Sequence, residues 1–298
     1  SIEYAAAFLG ALRAGVAVAP LAPSCTADEL AGMAADAGAR LFFLDAAVAK
    51  PIESVADRIA AKRIALDDSP GGESFSAWLA PVGTKPAPVE IRPEWAFNII
   101  YSSGTTGSPK GIVQSHAMRW GHIERAAIYG YDTTTVTVIA TPLYSNTTLV
   151  CFFPTLGHGG TAVLMAKFDA AAYLALAERH RATHTMLVPV QYQRIMALPG
   201  FDGHDLSSFQ CKFCTSAPFE TALKADVVRR WPGGLVEFYG MTEGGGTCIL
   251  AAHEFPDKLA TVGAPAEGHD IRLIDEAGIE VARGEIGEVV GHSPAMMS

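Results

Sequence analysis

Ala96-Phe97-Asn98-Ile99-Ile100-Tyr101-Ser102-Ser103-Gly104-Thr105-Thr106-Gly107-Ser108-Pro109-Lys110-Gly111 joins an apolar run of strand length to a loop of glycines and hydroxyl residues closed by one lysine. Such a loop can turn its backbone N–H groups around an anion, add Ser and Thr donors, and set one mobile ammonium against the charge, as polyphosphate binding requires. It is not a Walker loop. That motif needs GxxxxGK[ST], whereas here Gly104 and Gly107 are followed by Lys110 and then Gly111, with the lysine ahead of a glycine. Neither Ser102 nor Ser103 lies in the G-x-S-x-G elbow of an α/β hydrolase, so serine esterase chemistry is disfavoured.

Outward from this loop, apolar runs of strand length alternate with amphipathic stretches. Tyr4, Phe8, Leu9 and Leu12 stand at helical spacing and stop at Gly15; a strand is expected over 16–21; Thr26 and Glu29 fit a capping box; Leu41-Phe42-Phe43-Leu44 reads as a buried strand. A helix over 48–61 and a strand over 64–66 follow, and then a Pro- and Gly-rich connector over 80–93. Beyond the loop, a helix is expected to open near Ser115. Strands follow at 136–140, 162–165, 185–188, 209–215 and 235–239, with helices at 170–180 and 221–231. This grammar predicts an α/β fold with mostly parallel, helix-covered sheets. From about Val262 it changes to antiparallel hairpins without helices, the start of a β-rich subdomain. The expected divisions are 1–130, 131–255 and 256–298.

The chain has 298 residues, is 49% apolar and 18% charged, and carries a formal charge of −9 with no Lys/Arg cluster. That balance argues against nucleic acid or an anionic membrane surface as partner. No apolar run approaches the roughly 20 residues of a membrane span. Five scattered cysteines suit a reducing cytoplasm better than a disulfide scaffold. Cys211-Lys212-Phe213-Cys214 falls in an expected strand, where i and i+3 face opposite sides, and reads as buried cysteines and not as half of a zinc site. His116 and His122 are expected on a solvated helix face. Ser1-Ile2-Glu3-Tyr4 reads as the interior of a domain and Ser298 follows a strand directly, so truncation at both ends is expected.

A second motif, Glu237-Phe238-Tyr239-Gly240-Met241-Thr242-Glu243-Gly244-Gly245-Gly246, again follows an apolar strand, at the edge where open α/β sheets bind ligands. Tyr239 can stack on a purine, Thr242 can donate to a phosphate and Glu243 can hold a phosphate-bridging Mg²⁺. Together, the segments 101–111 and 239–243 resemble the ANL superfamily of adenylate-forming enzymes: acyl-CoA synthetases, peptide-synthetase adenylation domains and luciferases. Further segments match in the same order, namely Phe8 to Pro23 with Thr26-Ala27-Asp28-Glu29-Leu30, Thr141-Pro142-Leu143-Tyr144, Thr215-Ser216-Ala217-Pro218 and Gly284-Glu285-Ile286-Gly287-Glu288, so the resemblance spans essentially the whole chain.

The resemblance implies the two mostly parallel, helix-covered sheets of the acyl-CoA synthetase N-terminal domain, and activation of a carboxylic acid by ATP to an acyl-adenylate before transfer to coenzyme A. It assigns Ser102, Ser103, Gly104, Thr105, Thr106, Gly107 and Lys110 to the phosphates. Thr106 and Glu243 go to Mg²⁺, Tyr239 and Thr242 to the nucleotide, and Ser216, Ala217 and Pro218 to the adenine and acyl walls. Gly240 and Met241 border the acid, with Tyr144, Ser145 and Asn146 as further substrate residues. Thr106, Lys110, Thr242 and Glu243 would carry the chemistry. Many relatives place a histidine where this chain has Ser145. The family's ribose-binding aspartate and its C-terminal lysine would lie beyond Ser298. The alternatives to an acyl-CoA synthetase are a non-catalytic nucleotide-binding fragment and a peptide-synthetase adenylation domain; Gln210-Cys211-Lys212-Phe213 offers no aspartate for an amino group, which favours aliphatic or aryl acids. The apolar residues Tyr144, Leu149, Phe152 and Phe153 are read equally as core or as acyl-pocket wall.

Overall fold

The computed structural model describes residues 1–102, 109–293 and 296–297, arranged as two compact units. The first comprises 1–117 with 143–145, the second 118–142 with 146–297.

In the first unit, α1 (Ile2–Arg13) is capped by the Ser1 side chain, which accepts from the Tyr4 amide, and buries Ala5, Phe8 and Leu12. α2 (Ala27–Asp36) begins with the expected box: the Thr26 hydroxyl accepts from the Glu29 amide, and the Glu29 carboxylate accepts from the Thr26 amide. β1 (Leu41–Leu44), α3 (Ala46–Ile52), β2 (Lys62–Ala65), β3 (Glu73–Ser74) and α4 (Phe75–Trp78) follow, and β1, β2 and β3 pair in parallel. Leu30, Phe42, Leu44, Ile52 and Val55 form the core between these helices and that sheet.

Two expectations fail here. No strand forms over 16–21: Val18 makes a single bridge beside Asn98, because Pro20 lacks the amide that would extend the ladder. The helix expected over 48–61 ends at Ile52 and continues as a 3₁₀ segment over Glu53–Arg58, since Pro51 removes a donor from the ladder.

β4 (Ala96–Ser102) is answered by an unforeseen strand, β5 (Lys110–Ser115), in antiparallel register from Ala96 and Ser115 to Ser102 and Lys110. The glycine-rich segment therefore falls between two paired strands and not between a strand and a helix. A buried polar pair, Asn98 Nδ2 donating to Gln114 Oε1 at 3.0 Å, is built into this ladder, and polar residues in the strand are what hid it in the sequence. α5 (His116–Ala126) begins at the boundary between the units.

The second unit holds β6 (Val136–Ile139), α6 (Asn146–Gly157), β7 (Thr161–Leu164), α7 (Ala170–Arg179), β8 (His184–Leu187), α8 (Pro189–Met196), β9 (Cys211–Cys214), α9 (Thr221–Arg230) and β10 (Gly234–Gly240). β11 (Thr247–Ala251) and β12 (Ala264–Pro265) complete a seven-stranded sheet in the order β12-β11-β10-β9-β8-β6-β7, parallel from β10 to β7 and antiparallel at β11 and β12. Leu174, Leu187, Tyr192, Ile195, Trp231 and Leu235 are all but fully buried in its core. Lys212, also buried, donates to the carbonyls of Trp231, Pro232 and Gly233 at 3.1, 2.7 and 2.7 Å, so its ammonium closes the end of α9; burial draws its pKa down to about 7. The antiparallel ribbon of β13 (Asp270–Ile274) and β14 (Glu288–His292) matches the change of grammar expected near Val262.

α6 was not anticipated as a helix, since Thr147, Thr148, Thr155 and Pro154 are poor helix formers. Its threonines are tied instead: Thr148 Oγ1 donates to the Pro142 carbonyl at 2.6 Å and Thr155 Oγ1 to the Cys151 carbonyl at 2.8 Å. Leu149, Phe152 and Phe153 are buried core residues, and Tyr144 is half-buried. Among the described residues, no helix is long and apolar enough to cross a membrane.

Candidate functional site

In the first unit, the hairpin register sets Ser102 opposite Lys110, at the two rims of the glycine-rich loop. Lys110 is exposed and Ser102 half-buried. Ser103, Gly104, Thr105, Thr106 and Gly107 lie outside the described residues. The end of β4 is held to α2 by Tyr101, whose hydroxyl lies 2.6 Å from Asp36 Oδ2 and 3.1 Å from the Met33 carbonyl. Burial, and then the Asp36 carboxylate, push the Tyr101 pKa up, so this phenol remains a donor. Opposite it, a Cβ on Gly111 would come within 3.0 Å of Ile99 and 3.2 Å of the Tyr101 ring, and glycine is what allows the two strands to close there. Tyr144 and Ser145, both half-buried, also belong to this unit.

In the second unit, the carboxyl ends of β6, β8, β9 and β10 lie on one edge of the sheet, and β6 is flanked by β7 on one side and β8 on the other. That reversal of strand order is where doubly wound sheets open a crevice for ligands. Past β9, Ser216, Ala217 and Pro218 are exposed, and Ser216 has a left-handed φ of +78°. The Ser216 hydroxyl lies 2.6 Å from that of Thr147, the second residue of α6. Asn146, the first residue of α6, accepts at Oδ1 from Arg119 Nη2 at 2.7 Å, so its amide oxygen is committed to the protein.

β10 delivers the second motif. Glu237 faces α9 and pairs with Lys224 at 2.5 Å, and both side chains are nearly inaccessible, 6% and 3% exposed. Lys224 also donates to the Thr261 carbonyl at 3.0 Å. Phe238 points to the other face, stacked on Phe213 at 5.7 Å and meeting Tyr129 edge-on at 6.0 Å. Tyr239, on the same side as Glu237 and 43% exposed, is thereby left with an open ring at the sheet's edge. Met241, Thr242, Glu243, Gly244, Gly245 and Gly246 form the connection to β11, with Gly244 at φ +78° and its amide donating to the Met241 carbonyl at 3.1 Å. A Cβ on Gly240 would lie 3.0 Å from the Gly246 carbonyl, so the base of the hairpin admits no side chain there. Met241 is exposed, while Thr242 and Glu243 are half-buried, with the Glu243 carbonyl accepting from the Met297 amide at 2.8 Å. The unit thus brings Ser216, Ala217 and Pro218, and Tyr239 to Glu243, to the ends of two neighbouring parallel strands.

Cys211 and Cys214 are free and buried, as expected, and burial raises both thiol pKa values, that of Cys211 to about 12. Among the described residues, no three His, Cys, Asp or Glu side chains are grouped to hold a metal. The expectation of solvated histidines fails, since His116 and His122 are both half-buried. Burial, followed by the charges of Arg119 and Arg125, draws the His122 pKa down to about 3, and its Nδ1 has no partner among the described residues. The fold therefore holds His122 neutral. An unfolded chain takes up a proton near pH 6.5 that the folded chain resists until about pH 3. The penalty is absent above pH 6.5 and grows as pH falls towards 3. Urea midpoints at pH 7 and pH 4.5 should thus show a smaller acid loss for His122→Gln than for the parent chain; equal losses would mean His122 is solvated.

Two residues that tie this edge together, Thr147 and Arg119, were not singled out from the sequence. They lie 69 and 97 positions from Ser216, and no local pattern links them.

The family model described as "AMP-binding enzyme" matches residues 1–298, and the chain belongs to that family. It is 35% identical over 205 residues to the feruloyl-CoA synthase of an Amycolatopsis species, covering 67% of this chain and 41% of that protein. It is 30% identical to the indoleacetate–CoA ligase of Aromatoleum aromaticum over all of this chain and 59% of that one. The ATP-bound crystal structure of MatB from Rhodopseudomonas palustris superposes with a TM-score of 0.86 at 26% identity, covering 100% of this chain and 59% of that one. The chain thus spans about half the length of the relatives it matches, and the relationship implied by the two motifs holds along its full length.

Proposed function

We propose that this chain is the nucleotide- and acid-binding core of an ATP-dependent acid–thiol ligase of the acyl-CoA synthetase type. The observation that carries this reading is the pairing, at the ends of β9 and β10, of the left-handed Ser216 turn with the open Tyr239 ring and the Glu243 loop. An exposed aromatic face beside exposed backbone suits a purine. Glu243, a half-buried carboxylate, is a hard oxygen ligand of the kind magnesium takes when it arrives on phosphates, and the resemblance adds the Thr106 hydroxyl to it. Bound there, Mg²⁺ would neutralise phosphate charge.

In this reading, Ser102, Ser103, Gly104, Thr105, Thr106, Gly107 and Lys110 hold the β- and γ-phosphates, and Thr242 donates to the nucleotide. Ser216, Ala217 and Pro218 line the adenine. Gly240 and Met241, with Tyr144, Ser145 and Asn146, border the acid. The carboxylate oxygen attacks the α-phosphorus, a P–O bond forms, and the bond to pyrophosphate breaks with its electron pair leaving on that group. The thiol of coenzyme A then displaces AMP. Positioning and charge neutralisation suffice for such a transfer, which is why a loop lysine and one carboxylate can serve it. The names of the feruloyl and indoleacetate relatives support an aryl or otherwise largely apolar acid. The free cysteines support a cytoplasmic setting.

Exchange of labelled pyrophosphate into ATP, with pooled aryl, fatty and amino acids, tests this. Exchange that requires an aryl or fatty acid is the expected result. Acid-independent ATP hydrolysis, or no ATP binding by titration calorimetry, would overturn the reading.

A further inference from the structure

Three consecutive residues at the head of α6 are each fastened to a different element. Asn146 accepts from Arg119, a guanidinium only 1% exposed on α5; Thr148 Oγ1 lies 2.7 Å from Thr141 Oγ1 and donates to the Pro142 carbonyl, past the end of β6; and between them the Thr147 hydroxyl lies 2.6 Å from the Ser216 hydroxyl, past the end of β9. Ser216 is also the member of the 216–218 turn with φ +78°, a conformation that side-chain-bearing residues seldom adopt unless the surroundings impose it. Serine lacks the freedom of glycine there, so its conformation needs a second restraint, and the Thr147 hydroxyl is in place to provide one. The helix head that supplies this restraint cannot drift, since its neighbours on both sides are bonded elsewhere.

We infer that Thr147 is a positioning residue for nucleotide binding: its hydroxyl clasps Ser216 and keeps the backbone of the 216–218 turn facing the nucleotide. The inference rests on the adenylation reading, which assigns that turn to the adenine wall. Thr147 itself touches Ser216 and acts on the nucleotide only through it.

The test is calorimetric titration of the chain with MgATP, with thermal midpoints measured alongside. Thr147→Val keeps the shape and removes the hydroxyl, and is expected to weaken ATP binding roughly tenfold, with a midpoint within about 2 °C of the parent. Thr147→Ser retains the hydroxyl and is expected to bind as the parent does. Adding Ser216→Gly to Thr147→Val is expected to restore most of the binding, because glycine adopts φ +78° without the strain that a serine there has to be held against. Binding by Thr147→Val within twofold of the parent overturns the inference, as does a loss in Thr147→Ser. A Thr147→Val chain that melts well below the parent, and whose binding Ser216→Gly does not restore, also overturns it, since the effect is then on stability. A parent chain that binds no ATP overturns the adenylation reading itself, and this inference falls with it; a parent that binds, beside an unaffected Thr147→Val, overturns the clasp alone.

Discussion

Lys110→Ala is expected to lower acid-dependent pyrophosphate exchange on the order of 10²- to 10³-fold, the scale seen when one preorganised charge donor is lost from a developing anion. Lys110 opens β5 opposite Ser102, is exposed, and stands at the rim of the glycine-rich loop, so the change removes an ammonium without opening a core cavity. Its fold should be untouched, with a thermal midpoint within about 2 °C of the parent. Lys110→Arg keeps the charge but replaces a compact ammonium by a planar fork, and should recover only part of the exchange. Exchange unchanged in Lys110→Ala would remove Lys110 from the proposed site. Glu243→Ala provides the complementary measurement: raising Mg²⁺ should recover part of its loss if that carboxylate helps to hold the cation, and none of the loss in Lys110→Ala.

The second large effect is on stability. Glu237→Gln is expected to cost about 3–5 kcal/mol, because it leaves the Lys224 ammonium buried against a neutral amide. The pair joins α9 to β10 two residues before Tyr239, and Lys224 additionally reaches the Thr261 carbonyl. The loss should therefore appear in the urea midpoint and weaken ATP binding as β10 loosens. Replacing both partners together, Lys224→Met with Glu237→Leu, should restore most of the stability, since desolvating two charges offsets much of what their attraction returns. A double variant as unstable as Glu237→Gln alone would show that the carbonyl of Thr261 and the packing around the pair matter more than the ion pair.

Much of the framework was legible in the chain. Thr26 and Glu29 announced the start of α2, Leu41-Phe42-Phe43-Leu44 is a strand with the expected bounds although only Phe42 and Leu44 are buried in it while Leu41 is exposed, and α7 and α9 lie where their patterns put them. These signals are local: capping partners three residues apart, or apolar runs bounded by turn residues. The misreadings share another cause. β5 carries Gln114 and Ser115 in a strand because Asn98 stands across the ladder to satisfy Gln114, and α6 tolerates its buried threonines because Thr141, Thr137 and the Pro142 carbonyl take up their hydroxyls. Val16 and Val18 read as a strand by apolar pattern, but Pro20, inside that run, lacks the amide that would carry the pairing past a single bridge.

The sequence by itself determined the α/β class, the order of most strands and helices, and the two motifs that mark the family, since a loop rich in glycine and hydroxyls or a Tyr-Gly-Met-Thr-Glu run is readable without its neighbours. The tertiary structure alone decided that Glu237 is spent on Lys224, that Asn146 is held by Arg119, and that Thr147 meets Ser216. Each of these depends on a partner 13 to 69 residues away. Pairwise contacts of that kind are created when strands order themselves in a sheet, and a pattern read along one dimension carries no term for them.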